Sequence, residues 1–186
     1  MGQFSSPPFL AHILCKVRVT MTDYEKELMN SKSISDIFEI VKDVVSKHIG
    51  VEQAGLLVGV TDLGGHHQGF IGAFYSLNAN MIIINKRPLK RILQTNPSLY
   101  NYYLFHVMLH EYIHSIGSFD EAQTRLLTAE ISEHYFGSNH IVTEFATNME
   151  KFIPDLTYPI AGYQQPEDIN IEFVKGIDKK NINYIN

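Results

Sequence analysis

The sequence predicts an α+β fold, with a small, mostly antiparallel sheet packed on helices. Three observations carry this. The stretch "SISDIFEIVKDVVSKHIG" has helical periodicity. The runs "QAGLLVGVTDL", "FIGAFYS" and "MIIIN" are short, apolar and bounded by turn residues, as strands are. Beyond residue 96 the patterns are helical as far as residue 152. Helix, small sheet and then packed helices is an α+β order. With 186 residues the chain is about one domain long and can bury a sizeable core.

Residues 1–30 read as an N-terminal extension, 31–153 as the folded domain and 154–186 as a C-terminal tail. In the first helix Ile34, Ile37, Phe38, Val41, Val44, Val45 and Ile49 share one face. Ser33 with Asp36 resembles a capping box, and Gly50 is a good stop. "QAGLLVGVTDL" predicts a buried strand and "GGHHQG" a polar loop. "FIGAFYS" and "MIIIN" flank Asn78 and Asn80 as a hairpin would. "KRPLKRILQ" reads as a short helix.

Asn96-Pro97 is a helix start, and "SLYNYYLFHVMLHEYIHSIG" is apolar on most sides, as a helix crossing a core would be. Gly117 ends it. Ser118 and Glu121 suggest a capping box for "FDEAQTRLLTAEISEHYF", which stops at Gly137. A last helix is expected over about residues 139 to 152. The tail is rich in Pro, Tyr, Gln and Asn, with one possible strand in "INIEFV" and enough length to lie across a cleft and hold a site latent.

Composition narrows the function classes. A net charge of −5 argues against a nucleic-acid binder, and the basic group Lys86, Arg87, Lys90 and Arg91 is spaced like the solvated face of a short helix. Cys15 is the only cysteine, so an intrachain disulfide is excluded. No apolar run reaches the ~18 residues of a membrane span. "MGQFSS" fits the loose M-G-x-x-x-S myristoylation pattern, and Cys15 offers a second lipid position. Because that pattern matches many unmodified chains, a soluble, cytoplasmic protein is the expectation.

The chemistry concentrates in "HEYIHSIGSFDE", residues 110–121. His110 and His114 stand one helical turn apart on one face and can converge on one cation. Glu111 lies beside His110, where a general base acting on a metal-activated water must be. Chance gives only about 0.03 such His-Glu-x-x-His matches in a chain this long. A helix this apolar would bury leucine more readily than two imidazoles, which need partners. The residues themselves point to metal-assisted hydrolysis with Zn2+ as cofactor.

Here the sequence resembles the zincin metallopeptidases, over about residues 69 to 136. "HEYIHSIGSFDE" fits H-E-x-x-H-x-x-G-x-x-D, similar to small bacterial and archaeal zincin-like domains and to metzincins with Asp in the third ligand place. The resemblance implies a zincin-like fold, hydrolysis of a peptide or protein substrate, a backbone turn at Gly117 and a third zinc ligand at Asp120. It also implies that "GFIGAFYS" is an edge strand pairing with extended substrate. Two departures stand out: the usual third ligand is His, and Met149, the nearest candidate for the metzincin methionine turn, reads as helical. Another zincin branch takes a glutamate from a second helix, and Glu133, after 18 intervening residues, has that spacing. Asp120 is preferred and Glu133 stays open.

Other residues have plainer readings. His66 and His67 read as loop, and His106 as a satisfied core histidine one turn before His110. Tyr75, Tyr112 and His140 are unranked candidates for an oxyanion hydrogen bond. Arg125 is placed to pair with Asp120 or Glu121. The competing class is a non-catalytic zinc protein whose groove binds a peptide or protein partner.

Overall fold

The computed structural model describes residues 23–65, 71–159, 165–166 and 170–177. The fold is α+β, with a four-stranded mixed sheet and helices packed against it. Gly2, Cys15 and the His66-His67 pair lie outside the described residues.

Residues 23–30 are helical (α1), so ordered structure begins ahead of the boundary expected at residue 31. Tyr24 and Leu28, one turn apart, both enter the core. The Tyr24 hydroxyl donates to the Asp43 carboxylate and accepts from Lys47 Nζ at 2.7 Å. Two apolar positions in eight residues are too short a pattern to announce a helix by periodicity.

Helix α2 (Ile34–Ile49) follows the predicted signals. Ser33 and Asp36 form a full capping box, and Gly50 takes the left-handed conformation at φ 79° that ends the helix. The strands are β1 (Leu57–Thr61), β2 (Ala73–Ser76), β3 (Met81–Asn85) and β4 (Glu172–Phe173), in the spatial order β2-β3-β1-β4. β1 and β3 run parallel, with Leu57 opposite Met81, while β2/β3 and β1/β4 are antiparallel. Every residue of β3 is buried, as its unbroken apolar run requires of a central strand.

Asn85, fully buried, fastens the connection between β1 and β2. Its Nδ2 donates to the Gly64 and Ile71 carbonyls at 3.0 and 2.7 Å, and its Oδ1 accepts from Leu63 and Arg87 amides. The Arg87 bond also caps α3 (Lys86–Thr95). Three of the basic residues of α3 are engaged in contacts beyond the helix: Lys86 with Glu172, Arg87 with Asp62 at 2.9 Å, and Arg91 with the Thr157 carbonyl at 3.0 Å.

A 3-10 turn at Pro97–Leu99 leads into α4 (Tyr100–Ser115), the central helix, which touches α2, α3, the sheet, α5 (Glu121–Phe136) and α6 (Ile141–Thr147). Ten of its residues are buried, among them Tyr103, Phe105, Tyr112 and Glu111. The single helix expected over 139–152 is instead broken. α6 stops at Asn148 (φ −146°, ψ 55°), a 3-10 turn spans Met149–Phe152, and α7 covers Ile153–Leu156. The break lets Phe152 stack on Phe145, centroids 4.0 Å apart, a contact unavailable to residues about 10 Å apart along one continuous helix.

The tail returns as β4 beside β1, at the sheet edge opposite β2. Among the described residues no helix is long and apolar enough to cross a membrane.

Candidate metal centre

The C-terminal end of α4 and the N-terminal end of α5 meet through a tight turn. Gly117 has φ 107°, a conformation that favours glycine, and the amides of Ile116, Gly117 and Ser118 close back onto Tyr112, His114 and Ile113 carbonyls. The expected Ser118–Glu121 capping box does not form. Asp120 is the N-cap of α5, its Oδ1 accepting from the Gln123 amide at 2.7 Å, and the Ser118 hydroxyl instead meets Thr124 Oγ1 at 2.8 Å.

This capping decides which acid faces the histidines. The Asp120 carboxylate is turned back onto its own helix, while Glu121, the next residue, reaches the imidazoles. His110 Nε2 and His114 Nε2 lie 3.2 Å apart, Glu121 Oε2 is 3.2 Å from His114 Nε2, and Glu121 Oε1 is 3.4 Å from His110 Nε2. Ligands about 2.1 Å from a tetrahedral cation stand about 3.4 Å apart, close to what these atoms already do. Among the described residues, His110, His114 and Glu121 are the group of three whose ligand atoms lie within 4.8 Å of one another. Two imidazoles and a carboxylate are a donor set that could hold a metal ion.

Outer contacts orient these ligands. His114 Nδ1–H donates to the Ser118 carbonyl at 2.6 Å, which leaves the Nε2 lone pair facing the cluster. Arg125 Nε donates to Glu121 Oε1 at 2.9 Å from the next turn of α5. Partial burial works to raise the Glu121 pKa, but His110, Arg125 and His114 outweigh it and hold the carboxyl below its ordinary value. Burial lowers the pKa of His110, so the neutral, ligating form is favoured.

Glu111 is only 8% exposed, yet it lines the cleft. Burial pushes its pKa up to about 7, against the opposing pull of His114 and a hydrogen bond from the Tyr75 backbone amide. That bond ties the carboxyl to β2, at the sheet edge. The cleft itself has a volume of about 710 Å³ and runs between α4, the start of α5 and the 3-10 turn after α6. Met149, in that turn, lines it as well.

The remaining candidates lie apart from the cluster. Glu133 is exposed, and its place in the chain is the last turn of α5. Tyr112 is fully buried, packs edge-on to Phe38 and accepts from the Gln53 amide at 3.0 Å. The Tyr75 hydroxyl donates to Asn80 Oδ1 at 3.1 Å within the hairpin. His140 caps α6 and pairs with Glu25 at 3.6 Å. None of the described tail residues beyond 156 lines the cleft.

Glu121 was legible in one respect. An aspartate at a helix start spends its carboxylate on backbone amides, so reading Asp120 as the N-cap frees the neighbouring acid for other work. Comparisons with known proteins return no match to this chain among protein-family models, curated proteins or solved structures.

Proposed function

We propose that the protein is a zinc-dependent metallopeptidase of zincin-like fold, acting on a peptide or protein substrate in the cytoplasm. The observation that carries the reading is the convergence of His110, His114 and Glu121, two of which, His110 and Glu121, line a cleft that Glu111 also lines. In this reading His110, His114 and Glu121 hold the ion, with Glu121 in the third place and Asp120 as a helix cap. When bound, zinc supplies Lewis acidity and brings the pKa of a water down to about 7.

The chain's own residues supply the rest. Glu111, raised toward neutrality by burial, is suited to take a proton from water and return it to the leaving amine. A site with three protein ligands keeps a position open for substrate, whereas a structural zinc site is closed by four. Support for a peptide comes from β2, which lies at the edge of the sheet with its outer side unpaired among the described strands. Such an edge accepts an extended chain as an added strand.

The test is zinc content and hydrolysis of labelled casein by wild type and Glu111→Gln. One zinc per chain in both, with activity only in wild type, is the expected result. Zinc without hydrolysis in either would favour the non-catalytic zinc protein, and no zinc in either would sink the reading.

A further inference from the structure

His106 was expected to be a satisfied core histidine, and it is not. With Tyr103, Val107 and His110 it forms one stripe of α4, at i, i+3, i+4 and i+7, and all four line the cleft. Its ring stacks on Phe145, centroids 6.1 Å apart and planes 20° apart. Its Nδ1 is shielded from solvent without a hydrogen-bond partner, and so is the Tyr103 hydroxyl three residues earlier. An orphaned nitrogen on a neutral imidazole bears on where the ring's single proton sits.

The tautomer follows from the burial. Desolvation and the neighbouring His110 lower the His106 pKa to about 3, so the ring is neutral and carries a single N–H. A shielded N–H with no acceptor is a rarer and costlier defect than a shielded lone pair, so the proton belongs on Nε2. His106 lines the cleft and retains partial exposure, and of its two ring nitrogens only Nδ1 is shielded without a partner.

We propose that His106 Nε2–H is a substrate anchor, donating a hydrogen bond to a neutral carbonyl oxygen of a peptide bound in the cleft. It stands one helical turn, about 6 Å, from His110, so it engages a carbonyl other than the one being cleaved. An N–H donor selects an acceptor, and the carboxylates of Glu121 and Glu150 in the cleft lining disfavour an anionic one. The anchor sets the register of the chain over the metal ligands. This inference rests on the peptidase reading of the site.

The test uses the zinc-loaded full chain and an N-acetyl dipeptide hydroxamate, whose hydroxamate seeks the metal while its backbone carbonyls occupy the cleft. Wild type should bind it about 10-fold more tightly than His106→Phe, the loss expected for one neutral hydrogen bond. His106→Gln, which keeps an N–H at similar reach, should recover most of the difference, and zinc content should be the same in all three. In wild type, 15N spectra of the imidazole should show the Nε2–H tautomer and a shift of that resonance on binding. Zinc-dependent binding that is equal in wild type and His106→Phe would overturn the anchor alone. An Nδ1–H tautomer would overturn it without any variant. Absence of zinc-dependent binding in wild type would overturn the metal centre and the anchor with it.

Discussion

Two histidine pairs in this molecule look alike at first measure. His110 and His114 have ring centroids 4.8 Å apart with Glu121 alongside, and His48 and His134 have centroids 5.3 Å apart with Glu130 Oε1 3.3 Å from His48 Nε2. Only the first brings three ligand atoms within 4.8 Å of one another. Only the first has an imidazole fixed by a backbone carbonyl and a carboxylate fixed by an arginine. His48 and His134 come from different helices and meet Tyr135 edge-on, as aromatic rings do. Nearness of imidazoles is therefore cheap; what distinguishes a metal centre is convergence of lone pairs held by outer contacts.

The comparison is broken most directly by deleting one histidine from each pair. His114→Ala should abolish stoichiometric zinc binding after dialysis, and His48→Ala should leave it intact, as read by atomic absorption. Equal loss in both would erase the distinction. For Glu111→Gln the activity loss should be about 100- to 10,000-fold in kcat with zinc retained, the range expected on removing a general base.

The glutamates sharpen the contrast next. Glu121→Gln should weaken zinc affinity by about 100-fold or more, exceeding the usual loss of an outer partner. Glu130→Gln should not change it. Asp120→Ala should keep zinc and lose about 1 kcal/mol of stability, the usual worth of an N-cap, measured by urea unfolding. Zinc loss in Asp120→Ala with zinc retained in Glu121→Gln would return the third place to Asp120.

A further effect lies in the pH dependence of the metal-free protein. Glu111 has a folded pKa of about 7 against an ordinary 4.5, so the folded state holds its proton more tightly. Its contribution is full below pH 4.5 and is lost as pH rises to 7. Metal-free Glu111→Gln should accordingly be more stable than wild type above pH 7, by roughly 3 kcal/mol. His106 acts in the opposite direction. Its folded pKa of about 3 lies below the ordinary 6.5, so stability falls as pH drops through that window, and His106→Phe should flatten the decline. The smallest effect is on the other pair: His48→Ala should change stability by about 1 kcal/mol or less, as for most partly buried positions outside the core.

Much of the fold was written in local patterns. The capping box at Ser33 and the left-handed Gly50 bound α2 where expected, the hairpin and the basic short helix fall in place, and α4 is the apolar helix through the core. The misses are tertiary. α1 is held by the Tyr24 hydroxyl's bonds to Asp43 and Lys47 and by burial of Tyr24 and Leu28, and the break at Asn148 accompanies the packing of Phe145 on Phe152. The strand suggested in "INIEFV" does form, as β4, and it does so by finding β1 more than a hundred residues earlier in the chain.

The site divides along the same line. Sequence alone determined that His110, Glu111 and His114 share one helix, because a spacing of four residues is one turn whatever surrounds it. Only the tertiary structure decided that Glu121 turns toward the imidazoles while Asp120 turns away, and that His106 meets the cleft with one nitrogen shielded. The physical reason is range. Helical periodicity is fixed by backbone hydrogen bonds between near neighbours, whereas the direction of an acid at a helix start and the burial of a ring depend on elements brought together by folding.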